Sequence, residues 1–291
     1  MDETRFKTVI NARTHLVVDS ESGRCLGGVG SNFYRTWVFP LYTPNGLTVI
    51  QEFPFDHPFH NGVFVGQSPV IVGEREANYW AMPPRRSLDD RIFTHVGRMD
   101  APDTPKMELH NCGVRFTLEN VWRDENEAPI INERRTINLY TADDATVCDM
   151  TSQKIAAYGA AEYPQTKYGS IGIRVEPRLL PVMGGVVIGD DNRRGNVEVV
   201  HEQDSDFVAY ENALAGYGRF GVLMTILDEG ACGPWFIRDY GMALYNPTWR
   251  QSISTPEGES WIISLRVVAY DGELTEERAR RWIENLCIQT P

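Results

Sequence analysis

Residues 114–122 read Val114-Arg115-Phe116-Thr117-Leu118-Glu119-Asn120-Val121-Trp122. Apolar and polar side chains alternate through the first half of this stretch, where Thr117 separates Phe116 from Leu118. Because successive side chains of a β-strand point to opposite faces, the pattern predicts a strand with one buried face. Residues 261–270 alternate in the same way, so both segments are predicted to be half-buried antiparallel strands.

Shorter runs of the same kind recur along most of the chain. Turn-forming Pro, Gly, Asn and Asp residues separate them, as in Pro44-Asn45-Gly46 and Asp271-Gly272. We predict further strands at residues 7–11, 47–53, 130–140, 145–155, 169–175, 197–200, 219–227 and 242–245. This number of short strands favours an all-β fold, a large two-sheet antiparallel β-sandwich.

One helix is predicted near the C-terminal end, over residues 276–286. Thr275 is a suitable N-cap, and acidic residues occupy the first turn, where the helix dipole favours negative charge. Apolar Ala279, Trp282 and Ile283 recur at helical spacing and form one stripe. The sandwich is therefore expected to carry one C-terminal helix whose apolar stripe covers a sheet.

The composition is that of a globular protein with a substantial core. Hydrophobic residues make up 42% of the 291 residues, and neither an internal repeat nor a low-complexity linker interrupts the chain. We therefore predict one domain over residues 1–291. Residues 84–88 and 100–105 are interpreted as surface loops rather than as a domain boundary.

Charge and hydropathy exclude several classes of partner. The net charge is −12 and no basic tract is present, so no nucleic-acid partner is expected. No apolar run approaches the roughly 18 residues that span a bilayer, and the first residues lack the order of a secretory signal. We expect no membrane partner and a cytoplasmic location. A homo-oligomer stays open at this point.

Chemistry is first indicated by Asp56-His57-Pro58-Phe59-His60-Asn61-Gly62, which holds two of the six histidines. A histidine pair exchanges protons or binds a metal near neutral pH. Pro58 fixes its own φ, so a turn that starts there is predicted to bring both imidazoles to one side. Aspartate, histidine and asparagine are also ordinary loop residues, so the motif alone leaves a structural role open.

The order of several motifs resembles the bacterial PmoA-like family. These motifs lie at residues 34–46, 56–62, 132–135, 166–169, 208–210, 238–241, 256–259 and 265–272, together with Arg174 and Asn246-Pro247. That family is similar to the galactose-mutarotase-like sandwiches of sugar-active enzymes, so the resemblance implies this architecture and a sugar or sugar derivative as small-molecule partner. The family's methane-oxygenase label is not expected to apply, because no segment is apolar enough to be buried in hydrocarbon.

Two features depart from the family pattern. Phe59 and Asn61 stand where relatives commonly have histidine and arginine, and residues 67–80 match the family poorly. A substrate unlike that of most relatives is therefore expected.

Four residues are predicted to be catalytic: His57, His60, His95 and Lys167. Chemistry at a hemiacetal or keto group requires a proton donor and acceptor of near-neutral pKa and a group that stabilises an oxyanion. The alternative for His95 is a role at the edge of the core, on a strand with Phe93. Lys167 lies seven residues before Arg174, so the two share a pocket only if Gly169 or Gly172 marks a bulge.

Five residues are predicted to bind substrate: Arg174, Asp239, Tyr240, Trp249 and Arg250. Arginine can hold a carboxylate or paired hydroxyls, and a tryptophan ring offers a stacking face to a sugar. A structural turn is the alternative for Asp239 and Tyr240, and core packing is the alternative for Trp249.

The nature of any cofactor is left open by the sequence. A divalent metal at His57, His60 and His95, with Asp56 or Glu52 as a further ligand, is one hypothesis. The spacing of the first two histidines permits such a site but is common by chance.

The sequence therefore predicts a carbohydrate-active enzyme that performs histidine acid/base chemistry on a sugar or an oxidised keto sugar. Both an epimerase or mutarotase and a lyase or hydrolase agree with these residues. The alternative is a non-catalytic carbohydrate-binding or scaffold protein, for which the aromatic content of 11% is sufficient.

Overall fold

The computed structural model describes residues 5–83, 90–102, 104–142 and 144–284. Most of its regular structure is β. The strands are β1 (Phe6–Asn11), β2 (Thr14–Asp19), β3 (Cys25–Ser31), β4 (Thr36–Leu41), β5 (Val63–Gln67), β6 (Val70–Val72), β7 (Arg75–Ala77), β8 (Arg98–Asp100), β9 (Lys106–His110), β10 (Gly113–Arg123), β11 (Pro129–Ala142), β12 (Ala145–Ile155), β13 (Ala161–Tyr163), β14 (Gly169–Arg174), β15 (Val186–Gly189), β16 (Arg194–Gly195), β17 (Phe207–Leu214), β18 (Gly218–Ile226), β19 (Trp235–Ile237), β20 (Met242–Tyr245), β21 (Ile253–Thr255) and β22 (Ser260–Asp271).

The helical elements are few and short. The α-helix found among the described residues is α1 (Glu276–Glu284). The 3₁₀ helices are Asp90–Phe93, Pro177–Leu179, Pro181–Met183, Val197–Val199 and Pro247–Trp249. Within the part of the chain that the structure describes, no helix has the length and apolar character needed to cross a bilayer.

Two large antiparallel sheets face each other across the main core. The eight-stranded sheet has the order β1-β2-β3-β4-β5-β14-β20-β19. The ten-stranded sheet has the order β16-β15-β17-β18-β22-β12-β11-β10-β8, and β9 also pairs with β10. A four-stranded sheet, β21-β13-β6-β7, completes the fold. The predicted two-sheet antiparallel sandwich is confirmed.

Side-chain alternation explains how the sandwich closes. On β10, Phe116 and Leu118 are buried in the main core, whereas the alternating residues Arg115 and Thr117 are half-buried on the outer face. Phe116 lies opposite Ile137 of β11, and both belong to the same core. Every second residue of these strands therefore enters the core, as the alternation in the sequence predicts.

The predicted helix covers the outer face of the ten-stranded sheet. The backbone N–H of Arg278 donates to Oγ1 of Thr275 at 3.2 Å, which is the expected cap. Ala279 and Trp282 are fully buried, and the Trp282 ring lies 5.2 Å from that of Tyr270. The predicted last two residues of the helix, 285 and 286, lie outside the described residues.

Some segments differ from the predicted strands. Residues 47–53 form only isolated bridges, Tyr42 with Thr48 and Ile50 with Val175, where the segment runs beside the end of β14. Residues 197–199 form a 3₁₀ helix and not the predicted strand, and the segment Val197-Glu198-Val199 is too short for its pattern to distinguish a strand from a helical turn. The predicted loop at residues 84–88 lies outside the described residues, and the loop after Asp100 connects β8 to β9.

Candidate functional site

A cleft of about 1100 Å³ opens on the outer face of the eight-stranded sheet. Side chains alternate along β14, so Ile171 and Ile173 enter the main core while Arg174 points to the other face. Aromatic rings form much of the cleft wall: Phe59, Trp80, Tyr168, Phe236, Tyr240 and Trp249. A concave, largely apolar site with a few polar groups is the usual form of a small-molecule binding site.

The histidine loop is held by local hydrogen bonds. The backbone N–H of His60 donates to the carbonyl of His57 at 2.9 Å, which closes a turn around Pro58. The side-chain oxygen of Asn61 accepts from the backbone N–H of Phe53 at 3.1 Å. The imidazoles of His57 and His60 are stacked, with centroids 4.8 Å apart and planes within 6°. The prediction that Pro58 brings both rings to one side is confirmed.

Three charged or titratable groups form a chain at the cleft wall. Arg174 Nη2 donates to Oδ1 and Oδ2 of Asp56 at 2.8 Å each, and His57 Nδ1 lies 2.7 Å from Asp56 Oδ2. Burial alone would raise the pKa of Asp56, but the hydrogen bonds from Arg174 and His57 lower it below its ordinary value. Asp56 is therefore ionised, His57 Nδ1 is the donor, and His57 Nε2 is left for a ligand.

His60 has a different environment from His57. It is fully buried behind the cleft surface, and burial lowers its pKa well below the ordinary value, with the positive charges of His57, Arg174 and Arg35 acting in the same direction. Arg174 Nη1 lies 3.4 Å from its Nδ1, while its Nε2 has no hydrogen-bond partner among the described residues. His60 is thus a neutral imidazole next to His57.

Tyr240 is placed by the hairpin between β19 and β20. Gly241 has φ of 91°, a conformation that glycine adopts without strain, and its N–H donates to the Arg238 carbonyl at 2.9 Å. The Tyr240 ring stacks on His57 at 4.9 Å, and the Arg174 guanidinium carbon lies 4.7 Å from the same ring. Burial raises the pKa of Tyr240, so its hydroxyl stays protonated at neutral pH.

Lys167 and Arg174 lie on the same side of the eight-stranded sheet, but no β-bulge places them there. β14 begins at Gly169 and keeps a regular register with β5, so Lys167 lies before the strand and strand alternation does not apply to it. Lys167 lines the cleft, with its ammonium 5.1 Å from the Tyr168 ring. Arg174 lies beneath the cleft surface and contacts it through Asp56 and Tyr240.

An aromatic pair forms the far side of the cleft. The rings of Phe236 and Trp249 lie 5.2 Å apart, and both line the cleft. Trp249 and Lys167 also line an adjoining cavity of about 600 Å³, together with Arg250. Arg250 Nη1 is paired with Asp204 Oδ1 at 2.8 Å. Arg250 therefore contributes to the neighbouring cavity and not to the main cleft.

Besides Arg174 and Arg250, two of the predicted site residues, His95 and Asp239, do not line the main cleft. His95 has φ of 50° and its Nδ1 lies 3.0 Å from Glu125 Oε1, so its ring is directed to Glu125 and does not line the cleft. The expected strand with Phe93 is absent, because Phe93 ends a 3₁₀ helix and enters the aromatic cluster behind the cleft. Asp239 is exposed in the hairpin turn and does not line the cleft.

A shared metal ion does not fit the three histidines as they are arranged. A metal bound by imidazole lies near the ring plane, about 2.0–2.1 Å from the nitrogen. One ion cannot lie in both of the nearly parallel planes of His57 and His60, and His95 lies elsewhere. Glu52, which the metal hypothesis includes as a further ligand, accepts a hydrogen bond from Trp37 Nε1 at 2.6 Å. No three His, Cys, Asp or Glu side chains of the described ranges are grouped to hold a metal.

Several cleft residues were not predicted from the sequence. Trp80 ends the segment that matches the family poorly, and Arg35 Nη2 holds it by donating to its carbonyl at 2.8 Å. Tyr168 directly follows the predicted Lys167, within the motif at residues 166–169. Arg238 also lines the cleft. Arg238 lies two residues before the predicted Tyr240, within the motif at residues 238–241, and this proximity could have identified it. Phe59, a departure from the family pattern, packs edge-to-face on His60 at 4.7 Å.

The fold and the cleft together define an antiparallel β-sandwich with a candidate small-molecule site on the outer face of one sheet. The chain belongs to a family of unknown function, DUF6807, whose model matches residues 30–284. The PmoA-like resemblance is not supported by this match. No curated protein matches the chain.

Solved structures similar to the chain include three carbohydrate-related proteins. A heparan sulfate lyase mutant from Pedobacter heparinus has 12% identity and a TM-score of 0.36, over 93% of this chain and 37% of that one. A provisionally assigned aldose 1-epimerase from Escherichia coli K12 has 11% identity and a TM-score of 0.38, over 91% of this chain and 99% of that one. A galactose mutarotase-like protein from Lactobacillus casei has 8% identity and a TM-score of 0.35, over 91% and 100%.

The chain spans 37% of the length of the lyase. At these identities and TM-scores, the likenesses carry no argument about activity.

Proposed function

We propose that this protein is a carbohydrate-active enzyme in which His57 exchanges protons with a sugar or an oxidised keto sugar bound in the cleft. The observation that carries the proposal is the chain Arg174–Asp56–His57 at the wall of an aromatic cleft. A carboxylate that accepts from Nδ1 orients the imidazole and presents Nε2 as a base.

The surroundings of His57 suit both directions of proton transfer. When Nε2 takes a proton, the imidazolium is stabilised by the Asp56 carboxylate, 2.7 Å from Nδ1. Neutral His60 adds no second positive charge beside it. The stacked Tyr240 ring holds the imidazole plane in place. General acid/base catalysis by one positioned group typically contributes about 10²- to 10⁴-fold to a rate.

Lys167 is proposed as the group that stabilises developing negative charge on the sugar. It is exposed in the cleft, and a lysine ammonium presents three donors on a flexible stem. Epimerisation next to a keto group and β-elimination of an oxidised sugar begin with removal of a C–H proton next to a carbonyl, whereas mutarotation removes the proton of the anomeric hydroxyl and hydrolysis protonates the glycosidic oxygen. His57 and Lys167 are the two groups assigned to these steps.

The aromatic wall supports a sugar as the ligand. Pyranose rings present apolar C–H faces that stack on aromatic side chains, while their hydroxyls bind polar groups. Phe236 and Trp249 offer such a surface, half-buried and open to the cleft. The same surface would serve a non-catalytic carbohydrate-binding protein, so the test must separate binding from turnover.

The test combines a substrate screen with matched variants. The wild-type protein is incubated in D₂O with aldoses, keto sugars and uronides, and ¹H NMR follows anomeric exchange, deuterium incorporation and new products. We expect turnover of at least one sugar, and a loss of about 100-fold or more in His57→Ala and Asp56→Asn. His110→Ala, on β9 of the other sheet, is the matched control and is expected to retain the rate.

Two results would contradict the proposal. Full activity of His57→Ala would remove His57 from the chemistry. Saturable sugar binding that is lost in Trp249→Ala, with no turnover of any sugar by the wild type, would instead establish the non-catalytic alternative.

A further inference from the structure

The cleft contains basic side chains that lack an acidic partner. Lys167 and Arg238 both line it, and neither side chain forms an ion pair or a hydrogen bond among the described residues. Their contacts are with aromatic rings: Lys167 Nζ lies 5.1 Å from the Tyr168 ring and the Arg238 guanidinium carbon lies 5.8 Å from the Phe236 ring. Two unpaired cations in one cleft are notable in a chain whose net charge is −12.

The neighbouring charges do not neutralise these two cations. Asp56 is bound by Arg174 and His57, and Arg250 is already paired with Asp204. Glu202 also lines the cleft, but its Oε1 lies 3.4 Å from His201 Nε2 and forms no ion pair with Arg238. Lys167 and Arg238 are therefore available to an anionic group on a ligand.

Both cations lie beside the aromatic pair Phe236–Trp249. Arg238 follows Phe236 by two residues, and its guanidinium lies by that ring. Lys167 borders Trp249, because both line the main cleft and the adjoining cavity. Thr166 reinforces this proximity, since its N–H donates to the Thr248 carbonyl at 2.8 Å. A sugar stacked on the aromatic pair would carry its substituents toward both cations.

We propose that the cleft selects an acidic saccharide, a pyranose that bears a carboxylate, over its neutral counterpart. A carboxylate accepts charge-assisted hydrogen bonds from the arginine fork and from the lysine ammonium, and these are roughly twice as strong as neutral ones. The aromatic pair binds the ring and the two cations bind the carboxylate. This proposal rests on the proposed function, because it names the substrate class of the same site.

The test compares two pairs of ligands that differ only at C6. Methyl β-D-glucuronide is titrated against methyl β-D-glucoside, and methyl β-D-galacturonide against methyl β-D-galactoside, by calorimetry at pH 7.5 and low salt. We expect at least one uronide to bind roughly tenfold more tightly than its neutral partner, as charge-assisted hydrogen bonds allow. Added salt is expected to reduce this preference.

Substitutions of Lys167 and Arg238 test whether these side chains cause the preference for uronides. Lys167→Met and Arg238→Met are each expected to reduce it several-fold, and the double variant is expected to bind acid and neutral sugars equally. Both side chains are exposed, so melting temperatures are expected to stay unchanged. Lys7→Met, an exposed lysine of β1 outside the cleft, is the matched control and is expected to keep the wild-type preference.

The proposal is overturned if neither uronide is preferred, including the case in which neither binds measurably, or if the preference survives in the double variant. Methyl β-D-glucoside 6-sulfate is a further arm, and binding of this ester with no binding of either uronide overturns the carboxylate assignment. The result of this binding test can be distinguished from the result of the His57 turnover test. A uronide preference without His57-dependent turnover defeats only the proposed catalysis, whereas His57-dependent turnover of neutral sugars alone defeats only the acidic substrate.

Discussion

Arg174 donates from a single nitrogen, Nη2, to both carboxylate oxygens of Asp56 at 2.8 Å each. The arginine side chain is 4% exposed, whereas that of the aspartate is 41% exposed. A buried cation is thus matched by a carboxylate at the surface of the cleft, and that carboxylate also binds His57. The pair connects the interior of the sheet with the candidate base.

Replacing Arg174 with methionine is expected to shift the acidic limb of the pH profile of turnover to higher pH. Asp56 loses the hydrogen bonds and the positive charge of Arg174, which lower its pKa, and keeps only the hydrogen bond from His57, so the carboxylate protonates at higher pH. The acidic limb of the turnover profile should move up by about one pH unit or more. Arg134→Met, which removes an exposed pair with Glu119, is the control, and an unmoved acidic limb in Arg174→Met would contradict the assignment.

His60 is expected to make the folded protein less stable at acidic pH. Its folded-state pKa lies well below that of an unfolded histidine, so the unfolded state binds more protons at pH values below about 6.5. The free energy of unfolding should therefore fall as the pH is lowered from 6.5, by at most about 1.4 kcal/mol per pH unit from this group.

The measurement for His60 is urea denaturation at pH 7.5 and at pH 5. His60→Phe is expected to lose less stability between these two values than the wild type does. His110→Phe should behave as the wild type, because His110 is only half-buried on β9. Equal acid losses in His60→Phe and the wild type would show that His60 is charged or exposed.

The core of the sandwich contains an ion pair whose removal should be costly. Arg135 Nη2 donates to Glu133 Oε2 at 2.8 Å with both side chains fully buried, and Trp122 Nε1 donates to the same oxygen. Glu133→Ala leaves the arginine buried without its partner, so we expect a loss of about 3–5 kcal/mol in the free energy of unfolding. Glu119→Ala breaks an exposed pair with Arg134 on the neighbouring strands and should cost less than about 1 kcal/mol. Similar losses in the two variants would contradict the buried network.

Lys154 is expected to destabilise the protein near neutral pH. It is fully buried, burial lowers its pKa to about 7, and its Nζ lies 4.0 Å from the Trp261 ring. Between pH 7 and 10.5 the unfolded state binds more protons at this position, so stability should rise as the pH rises through that range. Lys154→Met should raise the free energy of unfolding at pH 7 by about 2–4 kcal/mol and flatten this pH dependence.

The wild type and Lys154→Met are compared by chemical denaturation at pH 7 and at pH 9.5. Lys106→Met replaces an exposed lysine and is expected to change neither value by more than about 0.5 kcal/mol. A Lys154→Met variant less stable than the wild type at pH 7 would show that the ammonium is stabilised in the core.

Local sequence patterns predicted most of the long strands, and the alternation at residues 114–122 identified Gly113–Arg123 to within one residue at each end. Ala145–Ile155 and Met242–Tyr245 match the predicted bounds at both ends. Val63–Gln67 was not predicted, because its apolar run Val63-Phe64-Val65 is only three residues long and shows no alternation. Cys25–Ser31 was missed for another reason: three of its seven residues are glycines, which disfavour a strand in sequence reading.

The site was predictable only where its geometry is local. The turn around Pro58 lies within five residues, so the juxtaposition of His57 and His60 followed from the sequence. The position of His95 depends on Glu125, thirty residues away, and could not be inferred from its own neighbours. The aromatic wall depends on which strands become neighbours in the sheet, which side-chain periodicity does not encode.

The position of β22 between β12 and β18 also has a consequence for biosynthesis. Met150 pairs with Leu265 on one side of this strand, and Met224 pairs with Val267 on the other. Until residues 260–271 have been synthesised, β12 and β18 each present an open edge that can pair with other chains. The ten-stranded sheet therefore cannot close before residues 260–271 have left the ribosome, and a chain truncated before residue 260 is expected to be prone to aggregation.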